Sequence, residues 1–229
     1  MRYHLSPLTG KLIERRNRFV AEVELDGQTV AALVPTTGRL TELMKQGAQV
    51  RLLPVEKAER KLPYDLAQVR YGKIWVSVNA VQANALFAEA VALRLIDDLA
   101  DWTAVRAEVT HGNSRFDWLL ANGDAEMLVE VKSVTLVEQG VGYFPDAPTS
   151  RGARHLRELA EVARDGGHAS VAFVAQRPDA ERIRPNDRTD PDFGEALRTA
   201  IAAGVRAYGL RCETSLRGVE VVNAIPVEV

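Results

Sequence analysis

The chain is short of cysteine, of aromatic residues and of long uncharged apolar runs, and each shortage excludes something. One cysteine in 229 residues, Cys212, cannot form an internal disulfide and offers no thiolate cluster for zinc, which fits a reducing compartment. The stretch MRYHLSPLTGKLIERRNRF lacks the apolar core of a signal peptide, and no segment approaches the roughly 20 apolar residues of a membrane span. A cytoplasmic protein without membrane contact is expected. Aromatic residues make up 6% of the chain, and the first third holds only Tyr3, Phe19, Tyr64, Tyr71 and Trp75 for stacking on a sugar. No internal repeat, low-complexity tract or helix-turn-helix pattern occurs, so base reading by a recognition helix is not expected.

The hydrophobic fraction, 46%, suffices for a packed core, and a net charge of −2 conceals an uneven distribution. Residues 1–79 hold 13 Lys and Arg against 8 Asp and Glu, whereas the remainder holds 16 against 23. Basic residues gather in KLIERRNR, with Arg15, Arg16 and Arg18, and in EKAERK at 56–61. Such patches suit a phosphate backbone, although scattered solvated charge is the commoner explanation.

Up to about residue 79 the pattern is short strands. RFVAEVELDGQTVAALVP alternates Phe19, Ala21, Val23 and Leu25, turns at Asp26-Gly27 and returns through Val30 and Ala32. Further strands fall at 48–54 and 67–79, the latter with a turn at Tyr71-Gly72. About five strands in so short a span predict a small barrel of OB-fold type. Beyond residue 80 the pattern alternates. NALFAEAVALRLIDDLADW (84–102) carries Leu86, Phe87, Ala90, Val91 and Leu95 at helical spacing, and helices are also predicted over 152–164 and 193–204. Strands are predicted at SRFDWLL, EMLVEVKSV, 169–175 and 205–212. The expectation is an α+β protein: a barrel domain over 1–79, then a mixed sheet flanked by helices over 80–229. Sheet edges near 171–175 and 219–225 would make a homodimer possible.

SRFDWLL and EMLVEVKSV are joined by ANGDA. A hairpin turning at Gly123-Asp124 sets Asp117 opposite Glu130 and sorts the side chains by face. Phe116, Trp118 and Leu120 oppose Val131, Val129 and Met127; on the other face Arg115, Asp117 and Leu119 oppose Lys132, Glu130 and Leu128. Two facing carboxylates repel unless a cation lies between them, and carboxylate oxygens suit Mg²⁺ or Mn²⁺. Lys132 is then placed to activate water or to neutralise charge on a phosphate transition state. Glu89, on the preceding helix, is a candidate third carboxylate. The plainer alternative is an exposed ion network in which Glu130 pairs with Arg115 and Lys132. Downstream, FPDAPTSRGARHLREL places Thr149 or Ser150 at a helix start with Arg151, Arg154, His155 and Arg157, donors suited to phosphate; Asp146 either caps the loop or joins the metal site.

The blocks SRFDWLL, VEVKSVTL, GYFPDAPTSRGARHLREL, RPNDRTDPDFGEALRTAIAAGV and LRCE together resemble the sugar fermentation stimulation protein A family of bacteria and archaea, along nearly the whole chain. The resemblance implies an OB-fold followed by a domain similar to the PD-(D/E)xK nucleases, with Asp117, Glu130 and Lys132 at the metal- and water-activating positions and Glu89 as the helix acid. It also implies DNA as partner, double-stranded or structured, with Arg39 and Arg115 joining the basic contacts, and a link to maltose metabolism; whether the chain is an enzyme or a non-catalytic regulator stays open. Two departures stand out: TTGRL with Thr36 where the family shows Asn in NTGRM, and VNAVQANAL (78–86, including Ala80–Asn84) where it shows VNT…PNRL.

Overall fold

The computed structural model describes residues 1–56 and 60–229. Lys57, part of the second basic cluster, lies outside the described residues. Six strands come first: β1 (Leu8–Asn17), β2 (Val20–Leu25), β3 (Gln28–Leu33), β4 (Gln49–Pro54), β5 (Tyr64–Tyr71) and β6 (Ile74–Ser77). They run in the order β3-β2-β1-β4-β5-β6, and β3 also pairs with β5, so five strands close into an OB-like barrel with β6 appended. Asp26 and Gly27 both take positive φ, 51° and 78°, in the two-residue turn that the Asp-Gly pair announces between β2 and β3. Leu12, Val23, Val50, Leu52, Leu66 and Val76 fill the barrel.

The rest of the chain forms α1 (Gln82–Ala92), β7 (Thr103–His111), β8 (Ser114–Asn122), β9 (Ala125–Val134), β10 (Leu136–Glu138), β11 (Val141–Phe144), α2 (Ser150–Arg164), β12 (His168–Ala175), β13 (Arg182–Pro185), α3 (Pro191–Ala202), β14 (Arg206–Ser215) and β15 (Gly218–Ile225). The large sheet has the order β15-β14-β12-β9-β8-β7, parallel through β9, β12 and β14 and antiparallel outside them. Three helices flank it. The apolar residues of α1 meet Leu120, Met127, Val129 and Leu210 on one side, while those of α2 and α3 meet Leu119, Leu128, Val171 and Phe173 on the other. Cys212 packs on the α1 side with no exposed surface, and burial pushes its thiol up to about 12. No helix among the described residues is long and apolar enough to cross a membrane.

Three expectations need correction. The helix predicted over 84–102 ends at Ala92, because Arg94 adopts φ 56° and turns the chain so that Ile96 and Leu99 re-enter the core. The stretch 171–175 is no edge: β12 lies between β14 and β9, leaving only β15 of the two proposed edges. Finally, Phe116 does not share a face with Trp118 and Leu120. It packs with Leu119 and Leu128 on the α2 side, whereas Trp118 and Leu120 face α1.

Candidate functional site

The hairpin of β8 and β9 turns where the sequence predicts, and its ladder runs Asn122↔Ala125, Ala121↔Glu126, Leu120↔Met127, Leu119↔Leu128 and Trp118↔Val129. It stops there. Oδ2 of Asp117 accepts the Val131 N–H at 2.7 Å, so the carboxylate occupies a place that a backbone carbonyl would otherwise take. The strands part at this point, which is why face alternation fails at Phe116 and why Asp117 stands beside the β9 backbone near Glu130. Oδ1 of Asp117 accepts from Nδ2 of Asn84 at 2.8 Å, and the Asn84 carbonyl accepts Nε1–H of Trp118 at 3.1 Å. Asn84 lies in the stretch that departs from the family pattern. Because its partner is 33 residues away, hairpin arithmetic could not find it.

Glu130 is 4% exposed. Its Oε1 pairs with the Lys132 ammonium and lies 2.8 Å from Nδ1 of His155, a close contact not aligned as a hydrogen bond. Oε2 is buried without a hydrogen-bond partner among the described residues. The two acids have opposite tendencies. Burial and then the charge of Glu130 push the Asp117 carboxyl up, despite the Val131 and Asn84 hydrogen bonds. Burial also opposes ionisation of Glu130, but His155 and Lys132 outweigh it and hold that carboxyl below its ordinary value.

Asp117, Glu130 and Lys132 line one cleft of about 410 Å³, walled by Arg18 and Thr36–Gly38 of the barrel, by Ala80, Val81 and Asn84, and by Phe144–Thr149 with Arg151. The barrel is fastened to the opposite wall. Oδ2 of Asp146 accepts the Leu40 N–H at 3.2 Å, and a Cβ at Gly38 would meet that oxygen at 2.6 Å. Asp146 thus ties the barrel loop down rather than capping its own loop. Thr36 substitutes for asparagine by the same chemistry, its Oγ1 accepting the Gly38 N–H at 3.1 Å. Gln176, fully buried after β12, pins the site strand from behind: its Nε2 donates to Ser133 Oγ at 2.8 Å and to the Asn79 carbonyl at 2.9 Å, while Ser77 bonds both its Oε1 and its backbone carbonyl. Nothing local in the sequence marks Gln176, whose partners lie 43 and 97 residues away.

The remaining predicted residues divide. Arg15, Arg18 and Arg39 line a groove of about 530 Å³ that shares Arg18, Thr37, Gly38, Ala147 and Pro148 with the cleft. Arg15 is braced by the Arg39 and Arg18 carbonyls at 2.6 and 2.7 Å. Thr149 caps α2, accepting the Gly152 N–H at 3.1 Å, and lines the cleft with Arg151. Four candidates lie elsewhere. Arg16 pairs with Glu22, Arg115 with Glu108, and the exposed Arg154 sits 3.8 Å from Glu158. Glu89 holds the N-terminal ammonium at 2.7 Å in a different hollow, so α1 brings no third carboxylate to Asp117 and Glu130. His155, only 1% exposed, lies behind Glu130 and cannot present its ring to a phosphate in the cleft. Among the described residues no three His, Cys, Asp or Glu side chains gather as a complete metal cage.

Two family models match the sequence: the SfsA N-terminal OB domain over residues 13–78 and the sugar fermentation stimulation protein RE domain over residues 81–218. The sequence is 46% identical over 230 residues to the sugar fermentation stimulation protein homolog of Acetivibrio thermocellus, covering 99% of each chain. It is 41% identical over 220 residues to that of Caldanaerobacter subterraneus subsp. tengcongensis, covering 96% of each. Among solved structures it is similar to Pyrococcus furiosus SfsA in complex with Ca²⁺, at 30% identity and a TM-score of 0.92, with 100% of this chain and 98% of that one covered.

Proposed function

This chain belongs to the sugar fermentation stimulation protein family, and from that premise and the geometry of the cleft we propose that it is a cytoplasmic DNA-binding protein that hydrolyses phosphodiester bonds with a divalent metal. Residues 1–79 hold the nucleic acid and residues 80–229 carry the chemistry. One observation carries the reading: Asp117, Glu130 and Lys132 converge in a cleft continuous with the arginine-lined groove of the barrel.

The residues fit a hard cation. Oε2 of Glu130 is a buried acceptor with nothing to accept, and Asp117 is an acid whose ionisation its surroundings oppose; a positive ion would relieve both. Asp117 and Glu130 would hold Mg²⁺ or Mn²⁺, since Mg²⁺ commonly takes one or two carboxylates and completes its shell with water and phosphate oxygens. The Ca²⁺ named for the Pyrococcus furiosus relative is a hard divalent ion of the same class. When bound, the ion supplies Lewis acidity at the phosphoryl group. Lys132 adds positive charge beside the acids, where negative charge grows on the phosphate, and its pairing with Glu130 fixes the ammonium in the cleft. Arg18 and Arg151 hold flanking phosphates.

Purified protein incubated with Mn²⁺ and single- or double-stranded DNA should cleave it, and Glu130→Ala should slow cleavage about 100-fold or more. Cleavage unchanged by that substitution would overturn the assignment. A second reading is a regulator that binds DNA without turnover; its relatives are named for sugar fermentation stimulation. The position of Arg15, Arg18 and Arg39 in a groove without the acids favours it. Binding that persists undiminished in an Asp117→Ala/Glu130→Ala protein, with no cleavage by the wild type, would select it.

A further inference from the structure

A buried imidazole is costly unless its nitrogens are engaged. His155 projects from α2, its ring edge-on to Phe116 with centroids 5.5 Å apart. Its Nε2 accepts from Nε of Arg151 at 3.3 Å. A guanidinium can only donate, so the neutral ring in this arrangement carries its proton on Nδ1, the nitrogen that stands 2.8 Å from Oε1 of Glu130. The same oxygen takes the Lys132 ammonium. One carboxylate oxygen thus stands beside two nitrogens, while the other, buried, has no partner among the described residues.

Resting on the metal-site reading above, we infer that His155 is a positioning residue: braced by Arg151, its Nδ1 edge closes on Oε1 and holds the Glu130 carboxylate so that Oε2 alone faces the cation. Groups that orient a metal-ligating carboxylate typically alter affinity about 10- to 100-fold when removed. His155 touches neither substrate nor ion, and its burial leaves it no direct part in phosphate binding.

The test is calorimetric titration of Mn²⁺ into the metal-free full-length protein, without DNA. His155→Leu fills the ring's space without a donor, and His155→Asn keeps an N–H near the Nδ1 position. The Leu variant should bind Mn²⁺ about tenfold more weakly or worse, and the Asn variant should recover most of that loss. Arg151→Met changes an exposed residue and guards against a misfolded His155 variant. Removing a cation near the site would, by relief of Coulomb repulsion alone, tighten Mn²⁺ binding, so weaker binding supports the brace and tighter binding overturns it. Wild-type affinity in His155→Leu, or equal losses in the Leu and Asn variants, would also overturn the role of His155 while leaving the metal site standing. A wild-type protein that binds no Mn²⁺ would overturn both.

Discussion

Asp117 sits in the cleft at a cost, because burial and the nearby Glu130 charge both push its carboxyl up. A carboxyl whose folded-state value is raised contributes stability below its unfolded value, and that contribution is lost as pH rises through the folded value. As pH rises, ionisation of Asp117 therefore becomes a burden on the metal-free fold. Asp117→Asn keeps an acceptor for Val131 and removes the charge beside Glu130. It should raise the stability of the metal-free protein by about 1 kcal/mol, roughly 2–4 °C at this length, with the gap opening as pH increases through the acid range. Mn²⁺ should raise the melting temperature of the wild type and leave the Asn variant unmoved; thermal melts with and without Mn²⁺ check both. At this scale the sequence was readable where geometry is local. The spacing of Glu130 and Lys132 and the Gly123-Asp124 turn lead directly to the neighbouring acids. Alternation failed at Phe116 because a side chain, not a backbone group, completes the ladder at Asp117.

Among the elements, the two helices on one side of the sheet share an anchor. Asp190 caps α3 by accepting the Phe193 N–H at 3.0 Å through Oδ1, and its Oδ2 accepts the N–H of Thr149, the cap of α2, at 2.7 Å. Thr149→Ala should cost about 1 kcal/mol, the usual worth of a cap. Asp190→Ala should cost about 2–3 kcal/mol, since it uncaps one helix and orphans a donor at the start of the other. Denaturant melts decide it, and equal costs would refute the sharing. Helix faces and one cap were legible from Leu86, Phe87 and Thr149, whereas α3 was expected from 193 and starts at Pro191 behind its Asp190 cap. The strand β7 was missed although Val105, Ala107 and Val109 alternate with Arg106 and Glu108; as an edge strand it buries only Val109 fully, so its alternation marks no core face. β1 escaped notice likewise: its exposed Lys11, Glu14 and Arg16 read as a charge cluster while Leu12 alone points fully inward.

For the molecule as a whole, function depends on how the barrel meets the sheet. The change of composition near residue 80 separates the two in the sequence, yet nothing there says that Gly38, Leu40 and Asp146 join or that Gln176 reaches Asn79. Those contacts join positions up to 106 residues apart, and only the packed structure brings them together. The cleft lies at this seam, which puts Arg18 and Arg39 beside the path a nucleic acid would follow. DNA affinity should fall steeply with salt, and Arg18→Ala and Arg39→Ala should each reduce the slope of log affinity against log salt by about 1, uniformly across sequences. Fluorescence anisotropy at several salt concentrations measures it. A slope unchanged in both variants would remove the groove from the binding surface.

The sealed thiol of Cys212 has a practical consequence. A cysteine introduced at exposed Gln28 of the barrel, and another at exposed Arg154, would be the sole targets of a maleimide dye pair, with no background substitution required. Energy transfer between the two dyes would then report, in a working protein, whether the barrel shifts against α2 when nucleic acid enters.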